Sequence, residues 1–193
     1  MASSGDLGSR PRLEKPAVRW EAPFHRFAED FRQAGESGAY EWYRRGVEDF
    51  PDYCDELLAN AVGARLPPGW VPISTFWMID GEEIVAAIRI RHSLNAFVEE
   101  HAGHIGYDVA PSHRRRGLGQ RLLELGLVEA SRLGLERALL IADIDNTASI
   151  RIIERCGGVL WDERSVAGER VPLRRYWIHV SRPEAVRGHR GGT

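Results

Sequence analysis

Between His104 and Gly119 the chain reads HIGYDVAPSHRRRGLG: an alternating apolar run, a proline break, three successive arginines and two glycines at the start of a helical period. This order predicts a strand over His104–Val109, a short loop after Ala110-Pro111, and a helix over Leu118–Leu133. Leu118, Leu122, Leu125 and Val128 fall on one face of that helix and Gly134 stops it. The first amides of a helix have no intrahelical partners, and its dipole adds partial positive charge there. With Arg114, Arg115 and Arg116 alongside, and Gly117 and Gly119 allowing close backbone approach, the loop has the chemistry of a pyrophosphate site. Other phosphate motifs fit poorly. Leu122 stands where a GxGxxG fingerprint needs its third glycine, and Gln120-Arg121 is not the Lys-Ser/Thr pair of a Walker A loop.

The flanking segments alternate strands with helices. A short strand is expected at Arg12–Lys15, and Phe24, Phe27, Ala28 and Phe31 give Trp20–Gln33 a helical period. Tyr40–Asn60 reads as helix broken or kinked at Pro51. Ile73–Ile79 and Glu83–Arg91 form a hairpin about Asp80-Gly81, and His92–Gly103 is a loop or short irregular helix. Ala138–Ala142 is a buried strand, Asn146–Cys156 a helix closed by Gly157-Gly158, and Val159–Glu163 and Pro172–Val180 an antiparallel pair. Strand–helix–strand order in this half predicts a βαβ core and a mixed sheet.

Charge narrows the partners. Lys plus Arg number 26 against 28 Asp plus Glu, a net charge of -2, so no global field draws nucleic acid or an anionic membrane. Residues 114–116 alone, without an aromatic stacking surface, fall short of a nucleic-acid footprint. Cys54 and Cys156 lie far apart and offer neither zinc-ligand spacing nor a disulfide framework, so reduced thiols and no metal are expected. No apolar run is long enough for a membrane span, and Met1–Arg12 has no secretion-signal pattern. The expectation is a cytoplasmic protein, monomeric or homodimeric, with one domain over residues 10–181 between flexible tails at 1–9 and 182–193.

Arg114-x-x-Gly117-x-Gly119 resembles the Q/R-x-x-G-x-G/A signature of the GNAT N-acetyltransferase superfamily, and Asp145-Asn146-Thr147-Ala148-Ser149 follows the next strand as that family's second element does. RHSLN (91–95), DNTASIRIIERCGGVL and RRYWI (174–178) are similar to a group of bacterial predicted acetyltransferases, and the resemblance runs from about Arg12 to Val180. It implies an α/β GNAT fold: a mixed, largely antiparallel sheet of about six to seven strands with a splayed central pair, flanked by about four helices. It also implies acetyl-CoA as cosubstrate. Its pyrophosphate would lie at Arg114–Gln120, Leu118 included, and its pantetheine would lie against Val109, Asn146 and Ser149 in the gap between the splayed strands.

One departure stands out. Many members carry a tyrosine seven residues after the helix-opening Asn, as acid for the departing thiolate; here that position is Ile153. A thiol of pKa about 8.5 leaves tolerably well without help. Tyr107 and Tyr176 are alternative donors, Tyr176 reading better as core. A base must also deprotonate the amine, and His104 and Glu154 are candidates, with His101 behind them. Glu154 reads equally as a solvated helix residue, and His104, like His92, as structural. Trp42, Tyr43, Phe76 and Trp77 with Glu41, Glu48, Asp49, Asp52 and Asp55 would make an acidic, aromatic rim for a cationic amine, or equally core and wet helix face. The expected activity is acetyl transfer to the primary amine of a small molecule by direct attack in a ternary complex, from a pocket closed by the 40–60 region. An open groove would instead indicate a peptide or protein amine. A non-catalytic acyl-CoA sensor is the third reading.

Overall fold

The structure is a computed structural model and describes residues 10–181; the expected tails at 1–9 and 182–193 lie outside these residues. In chain order the elements are β1 (Arg12–Glu14), α1 (Glu21–Gln33), α2 (Ser37–Glu48), α3 (Phe50–Asn60), β2 (Ile73–Asp80) and β3 (Glu83–Arg91). There follow α4 (Ala96–His101), β4 (Ile105–Val109), α5 (Leu118–Arg132), β5 (Arg137–Asp143), α6 (Thr147–Arg155), β6 (Val159–Arg164) and β7 (Leu173–His179). Six α-helices replace the expected four, for two local reasons. Asp49 accepts the Asp52 N–H at 3.2 Å and caps α3, while Pro51 sits in its first turn, where a missing N–H costs nothing, so 37–60 is two helices. Asn95 likewise caps α4, accepting the Val98 N–H at 2.9 Å, so of the two expected forms, loop or short irregular helix, the short helix is the one present.

The strands form two sheets, ordered β1-β2-β3-β4 and β5-β7-β6, in which every pairing is antiparallel. The splay is therefore complete enough that β4 and β5, on either side of α5, share no ladder, and the expected mixed sheet resolves into two. Apolar side chains cover both faces of β2 and β3. On one face Phe24, Phe27 and Phe31 of α1 pack with Tyr43, Phe50 and Trp77. On the other, Leu122, Leu123 and Ala130 of α5 pack with Met78, Ile88 and Ile90. A Cβ at Gly126 would stand 2.2 Å from Ile88 Cδ1, so this glycine lets α5 lie directly on β3.

Besides the core they share, the two sheets are joined by a backbone clamp at the root of β4 and β5. Gly103 has φ +64°, and a Cβ there would meet the Leu139 carbonyl oxygen at 2.5 Å. Beside it, the His104 N–H donates to Leu139 O at 2.7 Å, and the Leu139 N–H donates to His104 Nδ1 at 2.9 Å. Beyond this clamp Ile105–Asp108 and Leu140–Asp143 face each other across open space.

Candidate active site

That space is a cleft of about 620 Å³. Its two walls have different origins. On the α6 side stand Asn146, Ser149 and Ile153. Asn146 Oδ1 accepts the Ser149 N–H at 3.1 Å, which caps α6 and turns Ser149 toward β4. The Ser149 and Tyr107 hydroxyls lie 2.9 Å apart across the gap. Burial pushes the Tyr107 phenol up to about 12, with the Ser149 hydrogen bond opposing, so the phenol holds its proton at neutral pH. Ile153, at the position where a tyrosine acid is usual, lines the cleft as an apolar group.

The Arg114–Gln120 segment does not line this cleft but sits just past the end of β4. A Cβ on Gly119 would come 3.7 Å from Val109 Cγ2 and 2.7 Å from Ile152 Cδ1, so Val109, α5 and α6 meet at this glycine. Gly119 is buried, and packing between the two helices accounts for its missing side chain. Gly117 takes the left-handed conformation the helix entry needs, φ +77°, and no side chain caps α5. The first intrahelical bond there is Arg121 N–H to Gly117 O, which leaves the amides of Leu118, Gly119 and Gln120 ahead of it. The arginines divide. Arg114 binds Glu36 through two bonds of 2.6 and 2.7 Å and donates Nε–H to Val109 O at 3.0 Å, so its charge is already matched. Arg116 Nη2 donates to Ser112 O at 3.1 Å, and both it and Arg115 are exposed. Gln120 donates to Glu124 at 3.0 Å. A bare helix start, two exposed arginines and an unpaired β4 edge fit a phosphorylated carrier with an extended arm.

Two catalytic candidates fall outside the cleft. His104 is 6% exposed, and its Nδ1 lone pair is committed to the Leu139 amide. Burial first, then the charges of Arg137 and Arg91, push its pKa down to about 4. The ring joins sheets and has no free lone pair for an amine proton. Glu154 is exposed on α6 and accepts from Tyr176 at 3.3 Å; Tyr176 itself is core. His101 does reach the cleft, with Nδ1 3.0 Å from Glu169 Oε1 and its ring against Phe97, centroids 4.8 Å apart.

The opposite wall also departs from expectation. Phe76 and Trp77 are buried core, Glu41 and Glu48 pair with Arg44, and Asp52 pairs with Arg45 and Arg65. None of Glu41, Glu48, Asp49, Asp52 and Asp55 lines the cleft. Instead Arg89 and Arg91, two apart on β3 and so on one face, line the cleft, each guanidinium over an indole: Trp42 at 5.6 Å and Trp70 at 5.4 Å. Arg89 binds Asp108, and donates to the Tyr43 hydroxyl at 3.2 Å. The alternation Arg89-Ile90-Arg91 in an otherwise apolar strand was the available signal for this wall. A second cavity of about 200 Å³ adjoins it, sharing Trp42, Trp70 and Arg89 and bounded by Tyr53 and Leu57 of α3. Among the described residues no helix is long and apolar enough to cross a membrane, and no cluster of three or more His, Cys, Asp or Glu could hold a metal.

Residues 24–158 match the family model described as "Acetyltransferase (GNAT) family". Two curated relatives are mycothiol acetyltransferases, at 29% identity over 123 residues (Geodermatophilus obscurus) and 32% over 125 (Streptomyces scabiei). These matches cover 60% and 63% of this chain but only 39% of each relative. Among solved structures, Mycobacterium smegmatis RimJ in complex with CoA-disulfide shares the fold, with a TM-score of 0.66, 20% identity, and 89% of this chain and 86% of that one covered.

Proposed function

This chain belongs to the acetyltransferase (GNAT) family, and from that premise we propose that it is an acetyl-CoA-dependent acyltransferase whose acceptor is the primary amine of a small molecule, acetylated by direct attack within the cleft. The observation that carries this reading is the pair of adjoining cavities, walled on one side by Trp42 of α2 and by Tyr53 and Leu57 of α3, whereas a peptide would need a continuous groove. Acetyl-CoA supplies an activated thioester. The amides at the start of α5, with Arg115 and Arg116, would hold its pyrophosphate, and Asn146, Ser149 and the free edge of β4 would hold its arm.

The protein's own groups then have two proton tasks. An alkylamine of pKa about 10 is mostly protonated at neutral pH and must lose a proton to attack. His101, oriented by Glu169, is the titratable pair placed to take it. Tyr107, hydrogen-bonded to Ser149, lines the same cleft as Ile153, the position where the family's acid usually stands. Its high pKa makes it a hydrogen-bond donor to developing negative charge on sulfur, because a thiolate whose conjugate acid has a pKa of about 8.5 cannot readily deprotonate a phenol near 12.

Coenzyme A release should be measured against amines, amino acids, polyamines and peptides, with acetyl-CoA affinity measured in parallel by calorimetry. Turnover of small amines above peptides is the expected result. Peptide-only turnover overturns the acceptor class, and binding without release from any acceptor makes the chain an acyl-CoA sensor.

A further inference from the structure

We infer that the acceptor carries a carboxylate close to its amine, and that Arg91 is the residue that seats it. The inference rests on the transferase reading above and narrows its substrate class.

Arg91 is an anomaly in the charge inventory of the cleft. Its residue is 6% exposed, yet it lines the cavity. Among the described residues its guanidinium makes one hydrogen bond, from Nη1 to Gly103 O at 3.3 Å, and no carboxylate lies within ion-pair distance. Its Nε–H is buried without a partner. A guanidinium has five donors in a planar fork, and burying one without a counter-charge is strongly unfavourable unless something supplies the anion. Burial, and then the charge of Arg89, lower its pKa to about 10, which leaves it cationic at neutral pH.

The neighbouring charges do not answer it. Asp108 belongs to Arg89 and Tyr43, Glu169 to His101, and Asp143 lies 4.0 Å from Arg170. Arg89, two residues away on the same strand face, shows what a matched guanidinium looks like here; Arg91 is the unmatched twin. Its guanidinium carbon lies 5.4 Å from the centre of the Trp70 ring, and its planar fork of donors matches a planar anion such as a carboxylate. A carboxylate on that fork places an amine from the same molecule inside the cleft, where His101 and Glu169 also stand. The adjoining cavity, with Leu57, Leu66, Pro67 and Ile73 in its walls, would take an apolar substituent. The chemistry that fits all three is an amino acid with an apolar side chain.

The test compares L-leucine and L-phenylalanine with their carboxamides as acceptors for the full chain. The amides have the less basic amines, so a preference for the acids cannot come from nucleophile availability. Wild type is expected to favour the acids by tenfold or more in kcat/KM. Arg91→Met should lower kcat/KM for the acids by 10- to 100-fold and for the amides by less than threefold, with acetyl-CoA affinity unchanged. Arg91→Lys, which keeps the charge but loses the fork, should fall between them and serves if the methionine variant fails to fold. Amides used as well as acids by wild type, or an equal loss for both in the variants, would overturn the assignment. A binding arm separates this idea from the transferase reading: N-acetyl-L-leucine and N-acetyl-L-leucinamide are titrated into the coenzyme A complex. Binding of the acid alone, lost in Arg91→Met, with no turnover of any acceptor, sustains Arg91 and removes the enzyme. No preference for the acid in binding removes Arg91.

Discussion

The α6 wall of the cleft and the β3 wall offer a bound molecule different things. Around α5 and α6 the groups on offer are mostly backbone amides and hydroxyls: the bare start of α5, the Asn146 cap, and Ser149 against Tyr107. Of the three successive arginines there, Arg114 is spent on Glu36, which leaves Arg115 and Arg116 as exposed charges. Across the gap the groups are long charged side chains over indoles, Arg89 on Trp42 and Arg91 on Trp70. Backbone donors are hardly altered by substitution, so that side can hold a fixed part of a ligand whatever the side chains do. Side chains on a strand face can change one at a time without disturbing the ladder, so that wall can specialise.

The comparison breaks first if the clamp between the walls is itself catalytic. His104→Ala should cost about 2–4 kcal/mol in urea unfolding, since it opens a cavity and orphans the Leu139 amide. His104→Asn, whose side-chain oxygen can accept that amide, should recover much of this. The pH dependence gives a second reading. With the folded pKa near 4 and the unfolded value near 6.5, the unfolded chain binds the extra proton between these limits. The ring's contribution is thus complete above about pH 6.5 and declines as pH falls toward 4, by about 3 kcal/mol at most. A flat stability profile there, with a 100-fold loss of turnover in folded His104→Asn, would make it the base after all.

A second test sharpens the division inside the α6 wall. Tyr107→Phe should lower kcat by about 10- to 100-fold in steady-state assays while leaving acetyl-CoA affinity within about twofold. Equal turnover would return Tyr107 to the core. The smallest effect is expected at Arg116. Arg116→Ala should weaken acetyl-CoA by about three- to tenfold at low salt, less at high salt, without moving the acceptor KM. Parallel changes in both constants would show that the walls are not separable.

The same division explains what the sequence could disclose. The α5 loop is one continuous segment whose strand, break, arginines and glycines all report on each other, so its placement followed from local order. Gly119 was legible as a close approach but not as which one: Ile152, thirty-three residues on, sets it. The β3 wall is assembled from β3, α2, α4 and the 166–170 turn, and no window of the chain contains it. Glu41, Glu48 and Asp52 suggested a cationic substrate because their partners, Arg44, Arg45 and Arg65, are matched to them only by helix spacing and folding. His104 carried the right chemistry for a base, and only the position of Leu139 shows that its lone pair is taken.

The clamp at Gly103 and His104 makes the two strands a fork pinned at its root, and a pinned fork has one soft coordinate, its opening angle. At about 3.3 Å rise per residue, Tyr107 stands roughly 10 Å from the pin. A rotation of only about 3.5 degrees would shift it by about 0.6 Å, enough to stretch a good hydrogen bond to the limit of one. The Tyr107–Ser149 contact at 2.9 Å therefore works as an angular gauge: it registers whether the fork is held at one width, and any arm laid between the tines is measured against it.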